Sequence, residues 1–222
     1  RQEVPALNVQ RFTSNDGSVF TRPYSLRGLP PDQTLVLING KRFHRGATVQ
    51  LSNIPYIRGS QGPDLATIPS IAIGQLEVLR DGASANYGSD AIAGVLNFRL
   101  RTDRDGATVI ARYGQYYKGD GEDYLLQGNV GLPFTADGFV NISGEYSNSG
   151  ITSRQNQRPD AQALIDQGVP GVPVPAQRTG NPKTEAARLF VNSGIDLSDT
   201  MSFYAFGNYS WSQGTTAFFY RN

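Results

Sequence analysis

The chain has 222 residues, enough for one or two domains, and its formal net charge of +1 gives no bulk electrostatic case for nucleic acid or for a strongly acidic partner. Cysteine is absent, which excludes a disulfide framework and thiolate chemistry. With 38% hydrophobic residues and a mean hydropathy of −0.37, no apolar run approaches the roughly 20 residues of a membrane helix, although a transmembrane β-barrel would escape that test because its strands alternate. Residues 1–104 read as short strands punctuated by Gly and Pro. Residues 19–24 are weakly extended. Residues 34–38, Thr-Leu-Val-Leu-Ile, form a continuous apolar run between Pro30-Pro31 and Asn39-Gly40, which predicts a fully buried strand. Residues 43–63 are loop-like, and Pro69-Ser70-Ile71-Ala72 holds one short helical turn. The stretch 75–98 predicts a strand at 76–79, a compact loop of small residues opened by Asp81-Gly82, and a second strand at 95–98.

That stretch also carries a resemblance. Leu76-Glu77-Val78-Leu79-Arg80, Tyr87-Gly88-Ser89 and Ala91-Ile92-Ala93-Gly94-Val95-Leu96-Asn97 are similar, nearly in step, to the phrase that closes the plug domain of TonB-dependent outer-membrane receptors. Two earlier pieces match in order: Leu26-Arg27-Gly28, and Leu35-Val36-Leu37-Ile38-Asn39-Gly40-Lys41-Arg42. Asp81-Gly82 stands where many members have Gly-Pro, and Asn39 where many have Asp; both keep turn-forming chemistry. The resemblance implies an α+β plug domain over residues 1–104, with its N-terminal part missing, since the chain opens Arg1-Gln2-Glu3-Val4 without a signal peptide or an energy-coupling box.

From about residue 106 the pattern changes to period 2. Segments 107–117, 124–132, 138–146, 188–197 and 201–211 alternate apolar with polar positions, as transmembrane β-strands do. Ile142 falls on the apolar face near mid-strand. Its neighbour Ser143 falls on the polar face, where an arginine is expected to be the milder change. Arg112, Glu145, Arg188 and Asp196 share that polar face. An ordinary antiparallel sheet with one wet face would alternate in the same way. The connections decide. Residues 133–137 and 198–200 are short turns at one end, whereas 151–185 is a long polar connection without evident structure at the other, matching short periplasmic turns and long extracellular loops. The expected fold is therefore an α+β plug followed by the N-terminal portion of a transmembrane antiparallel β-barrel at 105–222, of which about five strands are present. Family members close a barrel of about 22 strands. Five strands would leave edges that lipid does not tolerate, so further strands are expected beyond Asn222.

The single histidine, His44, is more naturally a surface residue than a metal ligand. Gly40-Lys41-Arg42 lacks the rest of a phosphate loop, and there is no nucleophile elbow. Asp103 and Asp105 flank Arg104 in a linker and do not form a catalytic pair. Asn141-Ile142-Ser143 and Asn208-Tyr209-Ser210 sit inside strands, which argues against glycosylation. No cofactor is expected and no enzyme. The resemblance implies active uptake of a scarce nutrient (siderophore, vitamin, glycan or similar) across the outer membrane of a Gram-negative bacterium, with the inner-membrane TonB complex, the substrate and outer-membrane lipid as partners. It implies that Arg27 and Arg80 lock the plug onto barrel glutamates. His44, Arg45, Tyr56 and Arg58, on outward plug loops, are the expected substrate contacts. The rival readings are a soluble β-rich adhesion or glycan-binding module, which would be water-soluble and closed within these residues, and a signalling receptor on the same scaffold.

Overall fold

The computed structural model describes residues 7–9, 17–51, 58–80, 83–178 and 180–216. In the first part, β1 (Leu7–Val9) pairs antiparallel with β2 (Tyr24–Leu26). A second sheet runs β4-β3-β6-β5, built from β3 (Thr34–Ile38), β4 (Lys41–Arg42), β5 (Ile73–Leu79) and β6 (Gly94–Leu100). β3 lies parallel to β6 in the middle, so the expected buried strand is buried at all five positions. Alternation sends its side chains to two faces. Val36 and Ile38 join Leu65, Ile68, Ala72, Leu96, Phe98 and Leu100 in one core cluster, while Leu35 and Leu37 meet Ala91 and Val95 in another. At Gly94 the backbone has φ +138°, and a Cβ there would stand 2.5 Å from the Leu79 carbonyl oxygen, so this position of the closing phrase excludes a side chain.

Two local expectations are corrected and one is met. Residues 17–20 form a 3-10 turn, so extended structure starts only at Tyr24. The compact loop after β5 contains a short helix, α1 (Ala83–Tyr87), and a 3-10 turn at Ser89–Ala91. Ala83 and Ala85 have good helix propensity, and Gly88, with φ +88°, ends the run. The helical turn read near residue 70 is present as Ser70–Ala72.

The second part is an up-and-down meander of five antiparallel strands in the order β11-β10-β9-β8-β7: β7 (Ala107–Gly114), β8 (Asp123–Phe134), β9 (Gly138–Ser149), β10 (Lys183–Ser198) and β11 (Met201–Thr215). It is a partial wall and does not close. β10 begins five residues before the alternation does, because residues 183–187 still pair with β9 and β11 although their sequence has left the apolar period. The long connection is not structureless. It carries α2 (Pro159–Asp166), with Pro159 in the first turn and a Gln162–Asp166 bond one turn apart. The Thr152 amide donates to the Asn181 carbonyl at 3.0 Å and closes the loop's neck.

The register puts all five apolar stripes on one face: Val130 pairs with Ile142, Ile142 with Val191, Leu189 with Tyr209 and Ala111 with Leu126. That face is bare, with Val109, Leu126, Leu132, Leu189, Phe203, Tyr209 and Trp211 exposed. On β8, β9 and β10 the polar face is covered by the first part of the chain, and Gln127, Asn129, Asn141, Ser143 and Asn192 are buried. This is the reverse of a sheet with one wet face. It also corrects the expectation for Ser143, which is 1% exposed, accepts a 2.8 Å bond from Asn129 and lies opposite Phe190. An arginine there has nowhere to go.

Candidate functional site

The seam between the plug-like part and the wall is where the chemistry concentrates. Inward side chains of β8, β9 and β10 meet two backbone segments. At the first, Glu145 and Arg188 face each other across the β9–β10 register and form an ion pair with side chains only 10% and 13% exposed. The Arg188 Nε donates to the Ala66 carbonyl, and its Nη1 donates to Glu145 and, at 3.2 Å, to the Ser147 hydroxyl. The second Glu145 oxygen accepts from the Ser70 amide at 3.4 Å and from Gln127, whose Nε2 also reaches the Ser70 hydroxyl at 2.7 Å. Ala66 and Ser70 sit on the two consecutive 3-10 turns that lead into β5, one of them N-capped by Asp64.

The second segment is the strand exit after β6. The Asn192 Nδ2 donates to the Arg101 carbonyl at 2.8 Å, the Asn141 Nδ2 to the Asp103 carbonyl at 3.4 Å, and Arg104 to the carbonyls of the turn between β8 and β9. Asn39, in a left-handed conformation at the β3–β4 turn, accepts from the Leu100 amide at 2.9 Å and donates to the Asn192 side chain at 3.3 Å. The first bond is open to the aspartate that many relatives are expected to carry at this position; the second needs the amide. Between the two segments, Phe190 is 2% exposed and inserts from β10 into the plug core, its ring 6.4 Å from Phe206. Below it lies an open cleft of about 660 Å³ whose lining includes Asn39, Arg99, Arg101, Phe139, Asn192 and Tyr204.

The residues expected from sequence are distributed differently. Arg27, at φ +60°, donates through Nη1 to the Arg80 carbonyl at 2.9 Å, so the two arginines expected to form the lock are adjacent and exposed. His44 is exposed and its ring lies 4.4 Å from that of Phe43. Arg45 and Arg42 share one carboxylate, Asp90, at 3.3 and 2.6 Å. Arg58 is an exposed turn residue, and Tyr56 lies outside the described residues. This loop region is tied to the outer ends of the wall: Gln50 bonds Thr21 at 3.2 Å, and the adjacent Phe20 ring packs against Gly214 near the end of β11. Among the described residues no group of His, Asp and Glu could hold a metal.

Above the strands, the neck of the long loop is fastened to the 115–122 turn. Arg154 grips both oxygens of Asp120, one at 2.8 Å, and its guanidinium lies 5.6 Å from the Tyr116 ring. Hydrogen bonds from Arg154 hold the Asp120 carboxyl below its usual range, and those from Arg158 hold Asp160 down at about 2.

Sequence reasoning placed Glu145, Arg188, Gln127, Asn141 and Asn192 on the polar face without assigning their partners, and missed Phe190. The short turn between β8 and β9 could have found one contact. Phe134 pairs with Gly138, and counting back along both strands brings Gln127 opposite Glu145.

Residues 1–95 match the family model described as TonB-dependent Receptor Plug Domain. Among solved structures, the chain is similar to a mutant of the ferric enterobactin receptor of Pseudomonas aeruginosa in complex with enterobactin (TM-score 0.67, 19% identity, covering 95% of this chain and 30% of that one). It is similar to the siderophore receptor PirA of the same organism (0.52, 18%, 96% and 35%) and to the copper transporter OprC (0.56, 16%, 96% and 27%). The chain thus spans about a third or less of the length of each. Residues 1–95 thus match a plug-domain family model, and with the five strands that follow, a partial and unclosed wall, the chain shares the fold of these structures.

Proposed function

We propose that this chain is the plug, residues 1–104, and the first stretch of barrel wall, residues 105–222, of an outer-membrane receptor that takes up a scarce nutrient with energy from the TonB complex. The observation that carries the reading is the inverted polarity of the wall, whose polar face is buried under the plug and whose apolar face is bare. The dimensions agree. Along β8, Phe134 and Tyr124 face outward ten residues apart, about 33 Å of strand at roughly 3.3 Å per residue. A tilt of about 45° reduces that to about 23 Å, close to the roughly 25 Å height of the apolar band of an outer-membrane barrel. Tyr124 lies against Tyr113, ring centroids 4.9 Å apart and tilted by 47°, at the end nearer the long loops, as in an aromatic girdle. Transport makes and breaks no bond in the substrate, so the protein is not an enzyme on this reading. Arg27 and Arg80 lock the plug to carboxylates of later strands, and His44, Arg45, Tyr56 and Arg58 touch a substrate of siderophore, vitamin, glycan or similar type.

Fractionation of cells expressing the full-length protein tests the placement: recovery with the outer membrane, in a heat-modifiable form that needs detergent, supports it, and recovery from the soluble periplasm refutes it. Growth of a deletion strain on a panel of iron and carbon sources then identifies the substrate. Replacing His44, Arg45, Tyr56 and Arg58 together with alanine should weaken binding of that substrate while leaving heat-modifiable migration intact.

A further inference from the structure

We infer that Glu145 and Arg188 are positioning residues for the plug: a staple carried by the wall that grips the backbone of the 64–72 turns and makes them the last part of the plug to let go. An ion pair between neighbouring wall strands could simply brace the wall. The hydrogen bonds argue otherwise. The pair sits in a complementary frame, with the guanidinium donating to the Ala66 carbonyl and the carboxylate accepting from the Ser70 amide. Gln127 bridges the carboxylate to the Ser70 hydroxyl and adds a third strand to the grip. Both charges are nearly buried, and a buried pair is retained at a desolvation cost that only well-matched extra hydrogen bonds offset. Here those extra bonds go to the plug. The turns are short 3-10 segments with little cooperative stability of their own; Leu65, Ile68 and Ala72 anchor them in the core, and the wall adds the hydrogen bonds at Ala66 and Ser70. Residues 85–89, by contrast, are exposed.

The sense of the frame gives the test. In the charge swap Glu145→Arg/Arg188→Glu, the wall pair is kept but its polarity toward the plug is reversed: the carboxylate now at 188 meets the Ala66 carbonyl, and the cation at 145 meets the Ser70 amide. Amide hydrogen exchange on the full-length protein in detergent, with heat-modifiable migration as the check on the barrel, reads the result without substrate or TonB. Failure of the transport reading would therefore leave this test unaffected. In the wild type, amides of 64–72 should open later than those of 85–89 as urea is raised. Glu145→Gln and the swap should each speed exchange in 64–72 by at least about tenfold, with β9 and β10 unchanged. If the swap restores wild-type protection, the pair serves only the wall and the inference fails. Should the swap not assemble, Arg188→Lys decides instead. Lysine can still meet Glu145 but lacks the Nε that reaches Ala66, so faster exchange confined to 64–72 supports the staple and unchanged exchange overturns it.

Discussion

Phe190→Ala separates the plug from the wall more cleanly than any charge change. The ring is 2% exposed, lies opposite Ser143 and Asn208 in the wall, and belongs to the same cluster as Val36, Ile38, Leu96 and Phe98 of the plug. Truncating a buried Phe to Ala costs about 3–5 kcal/mol, the lost transfer energy plus the cavity left behind. The wall's own ladder does not depend on that ring, because β10 stays paired along its length to β9 and β11. The loss therefore falls on the plug–wall equilibrium. At about 1.4 kcal/mol per decade, local opening of the plug should become roughly 10²- to 10³-fold more frequent. Native-state hydrogen exchange should show that drop in protection at Leu96, Phe98 and Leu100, while amides of β9 and β10 keep theirs and the barrel still migrates as folded. Phe206→Ala, at a partly buried neighbour, should give a smaller change. Unchanged protection in β6, or an equal loss throughout the wall, would refute the assignment of Phe190 to the seam.

Ile142→Arg places a charge on the bare face between Val130 and Val191, close to the middle of the apolar band, and should cost roughly 2–4 kcal/mol in folding titrations in lipid; tolerance there would overturn the face assignment. Ser143→Arg should instead speed plug exchange, because it forces a guanidinium into the space under Asn129 and Phe190. Asn141→Leu should destabilise the seam by about 1–3 kcal/mol, since Asn129 loses a buried partner, whereas Asp103→Ala keeps the carbonyl that Asn141 grips and should be near neutral in the same exchange experiment. Asp160, held at about 2 against a free value of about 3.9, stabilises its pair with Arg158 fully above about pH 4; that stabilisation is lost as pH falls through about 2, and Asp120 behaves in the same direction. Protection factors in residues 150–182, which divide out the intrinsic pH dependence of amide exchange, should therefore fall between pH 4 and 2, and Arg158→Gln should flatten the part of the fall that belongs to α2.

The wall was legible because each strand carries its own signal. Period 2 over five segments fixed which residues share a face, and the continuous run at 34–38 showed a strand covered on both sides. What the sequence hid was set by partners far along the chain. Phe190 breaks the polar stripe and reads locally as a fault; it makes sense only when the plug core is placed opposite it. Glu145 and Arg188 meet across a connection of more than thirty residues, so no count from a tight turn could align them, whereas Gln127 and Glu145 could have been aligned in that way. The helices α1 and α2 are short and polar or small in composition, too brief for a period of 3.6 to show. The arginines at 27 and 80 were found by resemblance, and their adjacency followed only from the fold, with Arg27 reaching the backbone of Arg80.

The seam also explains why the recognisable phrases of the plug and the residues that hold it are different sets. The wall grips carbonyls and amides: Ala66, Ser70, Arg101 and Asp103 are held through their backbone. Any residue offers those groups, so the grip places little demand on the plug's side chains at these positions. The demand falls on the wall, where donor and acceptor must stand at fixed places in the register. It falls also on the plug backbone, which must present the groups there. Gly94, Gly88 and the left-handed Asn39 are what shape that backbone, and they lie in the very phrases by which the plug is recognised. The motif is thus the part of the sequence that sets the plug's form. The residues that fasten it belong to strands in which, from the sequence alone, they look like any other polar position.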